Sequence, residues 1–292
     1  MDLLPDLPQS YSYGGGVQST AMLVLVGEGY LPPGPFLFSN VGEDSEHPAT
    51  IRYVREVAFE YAASRGIEIH ELERVATRGK HKGPITLWRE VMDHTSRSIP
   101  IPVRMGDNGA PGTRQCTGNY KIRVVQKWIK EHGATAANPW AVNVGISTDE
   151  FERASSRTNE PYERLAYPLL TLEHRLAPSG ASRAQCAAII RDAGLPVPPK
   201  SSCFFCPFHK PTVWADMARD EPELFERSCT MEDTLNVRRS SLPCPGAGRW
   251  PAEAVKGKRD DDGSDAEVIY LGYDSPDGKG ACPSCRSRQP IT

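Results

Sequence analysis

The order of apolar and polar positions divides the amino-terminal part of the chain into short runs of two periods. Tyr11-Ser12-Tyr13 alternates, passes through Gly14-Gly15-Gly16, and enters the apolar run Ala21-Met22-Leu23-Val24-Leu25-Val26, which predicts a strand, a glycine turn and a buried helix. Phe36-Leu37-Phe38-Ser39 follows a Pro/Gly-rich turn and reads as a buried strand ending at Asn40-Val41-Gly42. Pro48 opens a helix in which Ile51, Val54, Val57, Ala58, Tyr61 and Ala62 recur at helical spacing, closed by Gly66. Ile67 to Leu72 alternates as a third strand. This β-α-β-α-β order predicts a parallel sheet with helices on both faces and a ligand at the carboxyl ends of the strands.

Residues 74–111 break the pattern with Gly, Pro and basic residues, as a lid or substrate loop would. Helical character returns from Tyr120 to His132, and Trp140 to Ile146 reads as a further buried strand ending at Ser147-Thr148-Asp149-Glu150. Ser182 caps a helix that Gly194 stops, and Pro196 to Lys200 looks like a boundary. Beyond it come Cys203-Phe204-Phe205-Cys206, a helix containing Trp214 and a longer helix from about Pro222. A Gly/Pro/Asp-rich tail follows, with a strand-like run at Val268-Ile269-Tyr270-Leu271 and a terminal Cys282-Pro283-Ser284-Cys285. The expected division is 1–168, 169–242 and 243–292: a nucleotide-binding α/β domain with a five-stranded parallel sheet, a small, mainly helical cysteine-bearing region, and the tail.

Composition narrows the function classes. A 292-residue chain with 39% apolar and 24% charged residues has room for a sizeable core. A net charge of -3 gives no global field for nucleic acid or an anionic membrane. Of two small basic clusters, Arg78, Lys80, His81 and Lys82 stand alone, while Lys256, Lys258 and Arg259 meet Asp260-Asp261-Asp262 and read as a solvated linker. No apolar run approaches bilayer length and the first residues do not read as a secretory signal, so a cytoplasmic protein is expected. Eight cysteines in such a chain are too sparse for a disulfide scaffold, which turns attention to metal or redox roles.

The glycine run carries the first chemistry. Three consecutive glycines let the backbone approach an anion, and Ser19 and Thr20 offer hydroxyls beside the unpaired N–H groups of a first helical turn. Four blocks then resemble the phosphoadenosine phosphosulfate (PAPS) reductase branch of the PP-loop, adenine nucleotide α-hydrolase-like superfamily, between about Tyr11 and Arg239. Gly14-Gly15-Gly16-Val17-Gln18-Ser19-Thr20 looks like the PP-loop Ser-Gly-Gly-x-Asp-Ser, with Gly14 in place of its serine and Gln18 in place of its aspartate. Asn40-Val41-Gly42 with Glu46 and Thr50 is similar to the Asp-Thr-Gly block. Arg114-Gln115-Cys116-Thr117 with Tyr120-Lys121-Ile122 is similar to the cysteine and lysine block. Gly145-Ile146-Ser147 with Asp149, Glu150 and Arg153 is similar to the block at the end of the fourth strand.

The resemblance implies an enzyme that binds ATP or an adenylyl nucleotide, with Gly14 to Thr20 around the phosphates and Asn40 and Gly42 near the adenosine. Lys121 and Arg153 become candidate phosphate or sulfate contacts, or ordinary surface charges. Asp149 and Glu150 either place a carboxylate near Mg²⁺ or serve as helix-dipole partners. Glu43 and Glu46 either reach the site or are solvated.

The two-residue gap of Cys203-Phe204-Phe205-Cys206 lets both thiolates face one metal or cluster. By resemblance to cluster-containing adenylyl sulfate reductases and tRNA thiolation enzymes, Cys116, Cys203 and Cys206 would hold a [4Fe–4S] cluster. Gln115 stands where a further cysteine is found there, and the fourth ligand would be exogenous or come from Cys229 or Cys244. Zinc competes, as do free thiols, and His209 is either a zinc ligand or a loop residue. Cys186 reads as a core thiol. Cys282 and Cys285 are a redox pair, half of a zinc knuckle, or without a role.

Three functions follow. The first is adenylation of a substrate, nucleic acid or metabolite, with transfer of sulfur from a donor. The second is reduction of PAPS or adenylyl sulfate, although the tail lacks the Cys-Gly-His ending of those reductases. The third is a nucleic-acid-associated binding module without catalysis.

Overall fold

The computed structural model describes residues 4–77, 82–93, 99–105, 110–155 and 159–240. Arg78, Lys80, His81, Cys244, Cys282, Cys285 and the strand-like run at 268–271 lie outside them.

Five strands form one parallel sheet: β1 (Gln9–Tyr13), β2 (Phe36–Asn40), β3 (Ile69–Glu73), β4 (Trp140–Val144) and β5 (Glu163–Ala166), in the order β3-β2-β1-β4-β5. Register places Tyr11 beside Phe36 and Asn143, and Phe36 beside Ile69. β2 and β3 run off one side of β1 while β4 and β5 lie on the other, so the strand order reverses between β1 and β4. In an open parallel sheet that reversal leaves a crevice at the strands' carboxyl ends.

Each face is covered because alternate residues of a strand point opposite ways. Phe36 and Phe38 join Tyr11 and Tyr13 in the larger core, against α1 (Val17–Gly27) and α6 (Arg183–Asp192). Leu37 points the other way and packs with Val142 against Val125 and Ile129, a four-residue spacing that gives α5 (Arg123–Glu131) one apolar stripe. The helix expected from Pro48 forms as α2 (Pro48–Tyr53), a π-helical turn (Val54–Ala58) and α3 (Phe59–Ser64), with His47 as its N-cap. Fully burying α1's apolar side chains contributes roughly 1.5–3 kcal/mol each and explains why that helix is apolar on every side.

Two compact units divide the chain otherwise than at residue 168. Among the described residues, one comprises those of 1–84 with 119–202, the other those of 85–118 with 203–240. α6 stays with the sheet because Cys186, Ile189 and Ile190 complete the core over α1. The segment with lid character is split: its part up to Pro84 belongs to the first unit and its part from Ile85 to the second, which also contains α4 (Leu87–Met92), α7 (Pro211–Asp220) and α8 (Pro222–Ser240). Stacking of Trp88 on Phe204 orders that unit, with the Arg227 guanidinium 4.7 Å from both rings. β5 has only the short Glu-Arg-Leu-Ala as its sequence, too little pattern to separate it from a loop.

Candidate nucleotide cradle and cysteine turn

The turn after β1 closes on α1 through a side chain of the helix itself. Ser19 Oγ accepts the N–H of Gly14 (3.3 Å) and of Gly16 (3.2 Å) and donates to the Gly16 carbonyl (3.0 Å). Gly15 takes φ +70°, and a Cβ there would stand 2.8 Å from Val54 Cγ2 and 2.9 Å from Thr50 Cγ2. Both the conformation and the space therefore require glycine. Ser201 Oγ lies 3.3 Å from where a Gly16 Cβ would stand, adding a hydroxyl to the loop that sequence spacing gave no reason to seek. Thr20 is wholly buried, and its hydroxyl meets that of Tyr13 at 3.2 Å. It supports the loop from inside the core.

Gly145 follows β4 and abuts the start of α1. A Cβ there would meet the Gln18 carbonyl carbon and the Ser19 nitrogen, both at 3.2 Å. The sequence thus keeps a glycine where one strand end meets the backbone of a helix N-terminus. That terminus presents the N–H groups of Val17 and Gln18, and an α-helix start favours anions.

Around this cradle the other candidates divide. Asn40 Oδ1 accepts the Gly42 N–H (2.8 Å) and its Nδ2 donates to Glu71 (2.7 Å), so the end of β2 is locked. Glu46 is buried; its Oε1 is 3.5 Å from Lys121 Nζ, while Oε2 has no hydrogen-bond partner. Thr50 Oγ1 is likewise buried and unpartnered. Asp149 Oδ2 accepts the backbone N–H of Arg183, which caps α6. Exposed Arg153 pairs with Glu150. Gln18 reaches Ser147 Oγ through Nε2 (3.5 Å) and accepts from Arg183 Nη1 through Oε1 (3.1 Å). Arg183 was not among the sequence candidates, because only the fold brings the start of α6 to Gln18.

In the second unit, Cys203 and Cys206 occupy successive turns. Cys206 N–H donates to the Cys203 carbonyl (3.1 Å), and His209 N–H to that of Cys206 (3.0 Å). The His209 ring donates through Nε2 to the Cys203 carbonyl at 2.9 Å and meets Trp214 edge-on, with ring centroids 5.2 Å apart. Cys116 donates its N–H to Pro100 (2.7 Å). These three thiols are half-buried, whereas Cys186 and Cys229 are buried.

The groups implied by resemblance can be tested on these side chains. Among the described residues, no three of His, Cys, Asp or Glu are gathered closely enough to hold a single metal ion such as zinc. For Mg²⁺, the cradle's one buried carboxylate oxygen without a hydrogen-bond partner among the described residues is Glu46 Oε2. α1 has no acidic residue in its first turn, Asp149 is committed to α6, and Glu150 to Arg153.

The glycine loop thus stands at the reversal of a five-stranded parallel sheet covered by helices on both faces, an open α/β architecture. No protein-family model and no curated protein matches the sequence. Among solved structures, the chain is similar to a phosphoadenylyl-sulfate (PAPS) reductase from Candida auris in a phosphate complex. Identity is 16%, coverage is 67% of this chain and 76% of that one, and the TM-score is 0.38. It is also similar to the U34-tRNA thiolase NcsA from Methanococcus maripaludis with its [4Fe-4S] cluster, at 12% identity, 83% and 76% coverage, and a TM-score of 0.39. Likenesses at these values assign no ligand and no residue role here. No helix among the described residues is long and apolar enough to cross a membrane.

Proposed function

We propose that the chain is a nucleotide-dependent enzyme that takes ATP or a related adenylyl nucleotide in the Gly14–Thr20 cradle and uses the bound adenylyl group in sulfur chemistry. The observation carrying this reading is the loop itself: a glycine at positive φ with no room for a Cβ, at the reversal of a parallel sheet, opening onto the unpaired N–H groups of an apolar helix. Loop amides and the helix start stabilise charge on phosphate, Lys121 is a candidate cation for it, and Asn40 and Gly42 border the adenosine.

In the sulfur-transfer form, an acceptor oxygen attacks the α-phosphorus and the bond to pyrophosphate breaks. The outer sulfur of a persulfide on one cysteine then displaces AMP from the adenylylated acceptor, a nucleic acid or a metabolite. A second thiol attacks the cysteine sulfur of that adduct, releasing the thiolated acceptor and leaving a disulfide.

The Cys203–Cys206 turn favours a second reading, since a two-residue gap places two half-buried thiols in one turn. In reduction of PAPS or adenylyl sulfate, one thiolate takes the sulfo group as the nucleotide leaves. The second thiol displaces sulfite and a disulfide remains.

Thermal unfolding with added ATP or adenosine 5′-phosphosulfate tests the shared step. Saturation at about a hundred times Kd stabilises a protein by roughly 2.7 kcal/mol, so a raised Tm is expected with at least one of them. Absence of any shift, with no heat of binding in calorimetry, removes the reading. Pyrophosphate release from ATP then selects sulfur transfer, and sulfite release selects reduction. Salt-sensitive retention of DNA or RNA without turnover selects the non-catalytic binding module.

A further inference from the structure

Arg183 has no role in the reading above, which nevertheless supplies the ligand that gives it one. Its backbone N–H is held by Asp149 Oδ2, and Ser182 and Gln185 form a reciprocal capping box around the same turn, so the start of α6 is fixed. From there the guanidinium reaches Gln18 in the first turn of α1, where Nη1 donates to Oε1 at 3.1 Å. One donor is used and the side chain is exposed, leaving the remaining N–H groups of the fork available beside the helix start.

Beside Gln18 and Arg183 themselves the carboxylates are engaged, and Glu46, elsewhere around the cradle, faces Lys121 through Oε1. Gln18 is neutral, Asp149 Oδ2 is engaged with α6, Glu150 is paired with Arg153, and no carboxylate occupies the first turn of α1. A divalent ion bound with phosphate takes at least one or two carboxylates from the protein in most such sites. Recruiting Asp149 would remove a cap from α6. A guanidinium needs no such partner, because it meets a phosphate or sulfate directly through two parallel hydrogen bonds. Beside the loop, the Thr50 methyl packs against Gly15 while its Oγ1 is buried without a hydrogen-bond partner, at a cost of about 1–3 kcal/mol.

We propose that Arg183 is an anion-binding residue of the cradle, and that the nucleotide's phosphate or sulfate is held there by Arg183 in place of a divalent cation. The proposal rests on the nucleotide reading and deepens it: the ligand is taken free of metal, with Gln18 orienting the guanidinium.

Calorimetry with ATP and with adenosine 5′-phosphosulfate, in EDTA and in Mg²⁺, tests it on the full chain. Wild-type protein is expected to bind at least one of them with Kd values within about threefold in the two buffers. Arg183→Gln is expected to weaken that binding on the order of tenfold or more, equivalent to about 1.4 kcal/mol per factor of ten. Arg183→Lys should recover part of the loss, and the Tm without ligand should stay unchanged because the backbone cap remains. A smaller dependence of Kd on salt in Arg183→Gln is a readout that a purely structural role would not move. Binding that disappears in EDTA, or that survives Arg183→Gln unaltered, overturns the proposal while leaving the nucleotide reading standing. No binding of either probe by the wild type overturns both.

Discussion

Around Gly15 and Gly145 the backbone is so crowded that neither position has free space for a Cβ, whereas the Cys203–Cys206 turn is held by main-chain hydrogen bonds and leaves its thiols half-exposed. In the first region the shape that would bind a phosphate is also the shape that packs α1 against the sheet. Function and stability there share the same atoms. In the second, the hydrogen bonds from Cys206 N–H to the Cys203 carbonyl and from His209 N–H to the Cys206 carbonyl are main-chain bonds that use no sulfur atom. Substitutions should therefore lower stability and binding together at the glycines, and change chemistry with little effect on stability at the cysteines.

The sharpest way to break that contrast is Gly15→Ala. The new Cβ would overlap the methyls of Val54 and Thr50 in a conformation disfavoured for any L side chain. A loss of about 3 kcal/mol in urea unfolding is expected, with loss of nucleotide-induced stabilisation in the same preparation. Unchanged stability would mean that α2 yields easily and that the loop is not a rigid cradle. Gly145→Ala comes next. Its neighbours at 3.2 Å are main-chain atoms of Gln18 and Ser19, which can give only by moving the start of α1. About 2 kcal/mol should be lost, and nucleotide affinity should fall with it.

How far the sequence foretold these features follows the same division. Tyr11-Ser12-Tyr13 before three glycines, and Phe36-Leu37-Phe38 before Asn40, are local patterns whose consequences are local, so β1, α1 and β2 could be read directly. β5 could not, because Glu163-Arg164-Leu165-Ala166 becomes a strand only by pairing with β4. Arg183 is separated from Gln18 by the whole length of the sheet's chain path and was invisible to spacing. The same holds for Ser201 over the glycine loop. For the cysteines, spacing gave the turn but not the ligand set: proximity of Cys116 to the pair is a tertiary property, and the described side chains do not gather into a site for a single metal ion.

Cys186 sharpens the comparison from within the sheet unit. Burial pushes its thiol up to about 12, from an ordinary value of 9.0. A thiol that must stay neutral when folded but ionises freely when unfolded gives stability that is full below pH 9 and lost as pH rises toward 12. Between pH 8 and pH 10 the wild type should lose about 1 kcal/mol more than Cys186→Ala, measured by urea unfolding at each pH. Equal pH dependence would show that the unfolded thiol is not released to solvent as assumed.

The smallest effect is expected at the turn itself. Serine at position 203 or 206 keeps the Cys206 N–H to Cys203 carbonyl bond, the His209 ring contact and the neighbouring phenylalanines, since none of these uses a sulfur atom. Cys203→Ser and Cys206→Ser should each stay within about 0.5 kcal/mol of wild type, as half-exposed substitutions usually do. Either change should nevertheless abolish sulfite or sulfur-transfer turnover while leaving nucleotide binding at the cradle intact. Alkylation followed by peptide mapping at pH 8 gives the complementary measurement: Cys203 and Cys206 should be modified in the folded protein and Cys186 only after unfolding. A stability loss as large as that of Gly145→Ala would reverse the contrast, because it would mean that the sulfur atoms themselves hold the turn together, as ligands of a centre or as a packed pair.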